Sequence, residues 1–303
     1  MFETKKCSDI TDDSGDFVSP EQHAVNPCDE DLQRADGFGR IVVTGSERRP
    51  SIVDVFERSP IRIMFPRTAP GSLQEAVFIN TAGGIAGGDR LEFIVTALAD
   101  ASITVTSQAA EKVYRALSRP ARISTRLTVC AAAKLAWLPQ ETIVFNCGRL
   151  RRQTDVDLSS EAELLALEWL VLGRAAHGEE MVRGQVTETW RVKKDGRLVW
   201  ADSFRITDEC FPHLHRRALL SNWKAIGTLI YFGPSLDERL EFLREIARSL
   251  QCHCAATSIG GLIVVRFAAT VPSDLRLALR SFLQQFGHDI GRGPFRAPKM
   301  WSC

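Results

Sequence analysis

Alternation with a period of two restricts this chain more than any other feature. In "RISTRLTVC" (Arg122–Cys130), Ile123, Thr125, Leu127 and Val129 fall on one face, and Ser124, Arg126 and Thr128 on the other. That period belongs to a strand with one buried face. "ASITVTSQ", "TIVFNC" and "RLRRQTDVDL" are similar runs, and most of the chain from Gly39 to Ile206 reads this way. "GQVTETWRVKKDGRLVWADSFRI" predicts a hairpin with Asp195-Gly196 in its tight turn. "EAELLALEWLVLG" is ambiguous, because its residues favour helix while its neighbours are strands.

The character changes near the C-terminus. "SLDERLEFLREIARSL" places Leu236, Leu240, Leu243, Ile246 and Leu250 at helical spacing, with Ser235 as the expected N-cap. "PSDLRLALRSFLQQFG" repeats the design, with Ser273 as cap, Leu275, Leu279, Phe282 and Phe286 as the apolar stripe, and Gly287 as the stop. Between them, "GGLIVVRFAA" reads as an apolar strand. The expected fold is therefore α+β and β-dominated: many mostly antiparallel strands in packed sheets, with about two C-terminal helices. No internal repeat of fixed period is visible. Residues 37–303 are expected to form a single β-rich domain.

Residues 1–36 stand apart. They hold ten acidic residues against Lys5, Lys6 and Arg34, a net of −7, whereas the whole chain is +1. Such a segment, poor in large apolar residues, is expected to be disordered or loosely attached. The remaining basic excess, about +8 by difference, is spread out, so no nucleic-acid partner is expected. No apolar run reaches the roughly 18 residues that span a bilayer, and "MFETKKCSDITDDSGDF" lacks an apolar signal core. A cytoplasmic protein without a membrane partner is the expectation. The eight cysteines form no C-x-x-C pair, which favours free thiols.

The search for chemistry begins at "NTAGGIAGGDRLEF" (Asn80–Phe93). A P-loop would need Lys and Ser/Thr where Asp89 and Arg90 stand. A dinucleotide fingerprint would need a helix to follow, and Leu91, Phe93 and Val95 predict a strand instead. The loop reads as a tight connection needing positive φ or close backbone approach. "CFPHLHRR" would put His213 and His215 on one side of a strand, and "QCHCAATS" spaces Cys252 and Cys254 around His253. Either pair could ligate a metal, though a solvated histidine pair and buried thiols explain them as well. The carboxylates Asp89, Glu141, Glu168, Glu179 and Glu180 are more suggestive. Glu168 lies in an apolar run, where an unpartnered charge is costly. No nucleophile elbow or H-E-x-x-H is present, and no catalytic residue is assigned.

"RSPIRIMFPR", "NTAGGIAGGDRL", "TSQAAEKVYRA", "LAWLPQETIVFNCGRLRR", "LEWLVLGRAAHGE" and the ending "PKMWS" resemble, in order and spacing, the urease accessory protein family UreD, also called UreH. The resemblance spans Gly39 to Ser302. Lys299, where the family more often has Arg, and the terminal Cys303 are small departures. It implies a β-rich protein with few helices and no catalysis of its own. It implies that the chain binds UreF, which recruits the GTPase UreG, and that the assembly docks on apo-urease, with room for a homodimer within the complex. GTP hydrolysis then drives nickel into urease. No tightly bound cofactor is implied, only transient Ni2+ on an internal polar route. Asp89, Glu141, Glu168 and Glu179 are the route candidates, because oxygen ligands release nickel more readily than thiolates. The C-terminal helices near Leu243 and Phe282 are expected beside UreF. The alternative is a nucleotide-dependent enzyme built on the Gly83–Asp89 loop, which GTP or ATP binding by the isolated protein would reveal.

Overall fold

The computed structural model describes residues 33–45, 51–67, 74–289 and 298–302. The expectation for the acidic segment falls almost entirely outside these residues. Its last residues are described, and Asp36 already opens the first strand.

The order of elements is β1 (Asp36–Thr44), β2 (Ser51–Arg58), β3 (Ile61–Met64), β4 (Gln74–Asn80), β5 (Arg90–Ala97), β6 (Ser102–Ser107), β7 (Glu111–Val113), β8 (Ala121–Val129) and β9 (Lys134–Trp137). Then come β10 (Thr142–Val144), β11 (Arg149–Leu158), β12 (Glu163–Leu172), β13 (Gln185–Lys194), β14 (Arg197–Ile206), β15 (Ala225–Phe232), α1 (Leu236–Ser249), β16 (His253–Ile259), β17 (Leu262–Ala269) and α2 (Pro272–Asp289). One sheet has the order β14-β13-β11-β8-β5-β1-β2. The other runs β16-β17-β15-β12-β9-β6-β4-β3, with β10 joining β12 to β7.

Parallel pairing dominates, against expectation. Nine strand pairings among the described residues are parallel and six antiparallel. The cause is the route of the chain. β4, β6, β9 and β12 belong to one sheet, while β5, β8, β11 and β13 belong to the other. Each return to a sheet has passed through the opposite layer, so neighbours run in the same direction. Parallel strands need a crossover, and here the crossover is a strand of the facing sheet, as in a solenoid.

The corners of this solenoid repeat. Leu98–Ala101, Cys130–Ala133 and Ser159–Ala162 are each closed by a hydrogen bond from the fourth residue's N–H to the first residue's carbonyl, at 3.0, 3.1 and 3.1 Å. Each ends in a buried alanine. Asp100 and Ala132 take positive φ at two of these corners. The rungs differ in length and share little beyond that alanine, so no fixed period shows in the sequence.

The interior between the sheets is apolar over most of its length, with Ile41, Val95, Leu127, Val156 and Val192 from one sheet facing Ala76, Val105, Ala166 and Ile230 from the other. β12 resolves as a strand and is buried on both faces, because its far side joins the apolar cluster that includes helix side chains and Trp301. Asp195 and Gly196 form the predicted hairpin turn, both at positive φ. Leu240, Leu243 and Ile246 of α1, and Leu275, Leu279, Phe282 and Phe286 of α2, pack on the second sheet. The caps differ from expectation. Ser235 makes no side-chain cap bond. α2 starts at Pro272, whose missing N–H costs nothing in a first turn, so Ser273 lies inside the helix. Gly287 does not stop α2, which continues to Asp289. Trp301, in a short terminal 3-10 turn, packs beside Trp169 and donates to the Leu138 carbonyl at 3.1 Å.

Candidate functional site

A charged cluster interrupts the apolar interior. In β11 the inward rank is Leu150, Arg152, Thr154, Val156 and Leu158; in β13 it is Val186, Glu188, Trp190 and Val192. The register sets Arg152 beside Glu188 within one sheet. From the other sheet, β12 aims Glu168 at both. Arg152 is 2%, Glu168 3% and Glu188 6% exposed. Arg152 Nη1 lies 2.8 Å from Glu168 Oε2, and Nη2 lies 2.5 Å from Glu188 Oε2. The remaining carboxylate oxygens accept indole N–H groups, Glu168 Oε1 from Trp137 at 2.8 Å and Glu188 Oε1 from Trp190 at 3.2 Å. Arg152 also donates to Thr142 Oγ1 at 2.9 Å. Burial pushes the Glu168 carboxyl above its ordinary range, although Arg152 opposes this and Glu188 adds to it. Burial alone would lower the Arg152 guanidinium, but the two glutamates hold it above its usual value. The hydroxyls of Thr125 and Thr154 and the Nε of Arg152 have no hydrogen-bond partner here.

A cavity of about 450 Å³ reaches this cluster. Its lining includes exposed Arg266, Thr228, Phe204, Trp223 and His253, together with buried Glu188. Arg266 donates to Thr228 Oγ1 at 2.5 Å and pairs with Asp202 at 2.6 Å.

The four sequence candidates do not converge. Only Glu168 faces the space between the sheets. Glu141 pairs with Arg276 of α2 at 2.8 Å, and its Oε2 is buried without a partner. Glu179 pairs with Arg174 at 2.5 Å, which holds its carboxyl below the usual range. Glu141 and Arg174 line a second cavity of about 430 Å³ with Lys112, Tyr114, Phe145 and His177. Glu180 pairs with Lys224.

Asp89 is tied to backbone. Its Oδ1 accepts from the Ala35 N–H at 2.8 Å and its Oδ2 from the Ala86 N–H at 2.7 Å. The glycine loop joins β4 to β5, and no helix follows it. Gly88 has φ +92, and a Cβ on Gly87 would come within 2.6 Å of the Arg119 carbonyl, so both positions need glycine. Asp89→Ala is expected to destabilise the fold by about 2 kcal/mol, since it orphans two N–H groups. Asp89→Asn should fall between, because one amide oxygen cannot serve both donors. Denaturant unfolding of the two variants checks this; Ala matching wild type would show that neither bond supports the fold.

His213 and His215 do not share a strand face. Asp208–His213 is a 3-10 turn containing Pro212, which cannot donate to a sheet ladder. Burial pushes the thiols of Cys252 and Cys254 up, Cys254 to about 12 with a contribution from Cys252, so both favour the protonated form. Among the described residues no three His, Cys, Asp or Glu side chains converge on a metal position, and no helix is long and apolar enough to cross a membrane. Arg152 and Glu188 are missing from the sequence candidates, yet their place in the inward ranks of "RLRRQTDVDL" and "QVTETWRV" was readable.

A family model described as the UreD urease accessory protein matches residues 35–302. A urease accessory protein UreD of Xanthobacter autotrophicus is 40% identical over 254 residues, covering 84% of this chain and 87% of the relative. Relatives with the same name from Chelativorans sp. and Rhizobium leguminosarum bv. viciae are 38% and 37% identical, covering 89% of this chain and 95% and 96% of their own lengths.

Proposed function

The chain belongs to the UreD family of urease accessory proteins, and from that premise we propose that it is a non-catalytic scaffold and nickel chaperone of urease maturation. In this reading it acts in the cytoplasm, holds UreF and through it the GTPase UreG, and docks on apo-urease. Nickel is cargo, carried between the sheets. The observation that supports the route is the pair Glu168 and Glu188, held between the layers by one arginine and reached by a cavity. Two carboxylates with neighbouring hydroxyls are oxygen donors, which bind nickel more weakly than thiolates or several imidazoles do. Arg152 offsets one of their two charges when no ion is present. Leu243 and Phe282 are fully buried on the protein's own sheet, so a UreF contact at the helices would use their outward faces, where Leu277 is 63% exposed.

Glu168→Gln keeps the shape of the cluster and removes one charge. It should lower the nickel content of urease by about tenfold, the factor that 1.4 kcal/mol of lost cation affinity represents. Co-purification with UreF and UreG should be unchanged. Full nickel incorporation by this variant would remove Glu168 from the route.

A further inference from the structure

The outer face of the seven-stranded sheet carries a row of arginines that form no ion pair among the described residues. β5, β8 and β11 run parallel and in register, so Arg90, Arg122 and Arg151 stand side by side. β13 continues the row with Thr187, and the edge strand β14 with Arg205. Neighbouring strands lie about 4.8 Å apart, so the row is roughly 19 Å long. All four arginines are exposed. Among the described residues no carboxylate lies within ion-pair distance of any of them.

Like charges directly opposite one another destabilise a sheet. Four residues along the same strands, the equivalent row differs in having a carboxylate, Asp155, set in register between Arg126 and Arg191. No ion pair holds the arginine row among the described residues, although Glu209, in the turn after β14, attracts Arg205 at longer range. The acids nearest to it on this face are Asp36, which heads the row on β1 but is paired with Arg58 at 3.1 Å, and Glu92, two residues along β5.

We propose that the row Arg90, Arg122, Arg151 and Arg205 is a docking site for an acidic peptide segment of a partner protein. Guanidinium groups pair with carboxylates in a planar, two-point geometry. A narrow single file fits a short Asp/Glu-rich stretch. A nucleic acid fits poorly, because Glu92, Asp155 and Asp157 share the face and would repel a broad polyanion. The adjoining row of Ser124, Gln153, Thr189 and Ser203 also offers no aromatic ring on which a base could stack. The proposal stands apart from the nickel reading, since the row faces away from the space between the sheets.

The test is fluorescence anisotropy of the full chain with a labelled eight-residue peptide rich in glutamate, beside an oligothymidylate of similar charge. The peptide should bind, more weakly as salt rises. Arg122→Glu with Arg151→Glu should weaken it by about tenfold or more, while Arg126→Glu with Arg191→Glu should stay within about twofold. Equal losses in the two pairs, or tighter binding of the oligonucleotide, would overturn the proposal. The neutral pair Arg122→Gln with Arg151→Gln should melt at the same temperature as wild type or higher, because repulsion is relieved. A lower melting temperature would assign the arginines to the fold instead.

Discussion

Arg152→Ala is expected to destabilise the protein by about 3–5 kcal/mol, the scale for removing one partner of a buried ion pair. The loss is large because two carboxylates depend on this guanidinium. Glu168 and Glu188 are both buried, and their indole donors, Trp137 and Trp190, are neutral. Without Arg152 each must hold a proton or remain an unpaired charge in an apolar interior. Adding Glu168→Gln and Glu188→Gln should therefore recover much of the loss. Replacing all three by Met or Leu should cost about 2 kcal/mol, less than Arg152→Ala alone, since apolar packing can replace the ion cluster while the Trp137 and Trp190 N–H groups lose their acceptors. That triple variant also bears on the nickel reading. A stable fold that no longer loads urease would place the cluster's value in transit. Denaturant unfolding and nickel content of urease, measured on the same variants, separate stability from delivery. A fall in stability below about 1 kcal/mol for Arg152→Ala would show that water reaches the cluster and screens it.

How much of this was legible follows from what alternation encodes. A period of two states which face of a strand is buried, so strands such as Ala121–Val129 and Arg149–Leu158 agree closely with the quoted runs. It says nothing about the direction of the neighbour, and a parallel pair and an antiparallel pair have the same pattern. The crossovers that would have revealed parallel pairing are strands themselves, not helices. Glu168 was legible as a charge requiring a partner. The partner was hidden because Arg151 and Arg152 are adjacent in sequence yet project to opposite faces, one into the outer row and the other into the interior. One step of register separates the two roles. Asp89 shows the opposite limit. Its place after two glycine pairs suggested a ligand, but Ala35, whose N–H it accepts, lies 54 residues away, and no local pattern announces such a bond.

Stability is expected to fall as pH rises towards and through 7, and Glu111 is the group responsible. It sits under the glycine loop, where Asn80 Nδ2 donates to Glu111 Oε1 at 3.0 Å and to the Gly84 carbonyl at 3.2 Å, and Asn80 Oδ1 accepts from the Ala82 N–H at 3.0 Å. Burial pushes the carboxyl from 4.5 up to about 7, against the opposing effects of Asn80 and Lys112. In the unfolded chain it titrates near its ordinary value, so between about 4.5 and 7 the folded state binds more protons than the unfolded state. Stability from this group is then complete below about pH 4.5 and is lost as pH rises through 7. At 1.36 kcal/mol per pH unit, and allowing for partial exposure, the ionised carboxylate costs about 2–3 kcal/mol at pH 8. Glu111→Gln keeps an oxygen acceptor for Asn80 and cannot ionise. It should match wild type near pH 4 and exceed it by about that amount at pH 8. Unfolding free energies measured at both pH values decide the matter. Two curves that run parallel across this range would show that water solvates Glu111 in the fold, and the glycine loop would then be held by Asn80 and the Tyr114 hydroxyl, which donates to the Gly83 carbonyl at 2.9 Å, without a titrating partner.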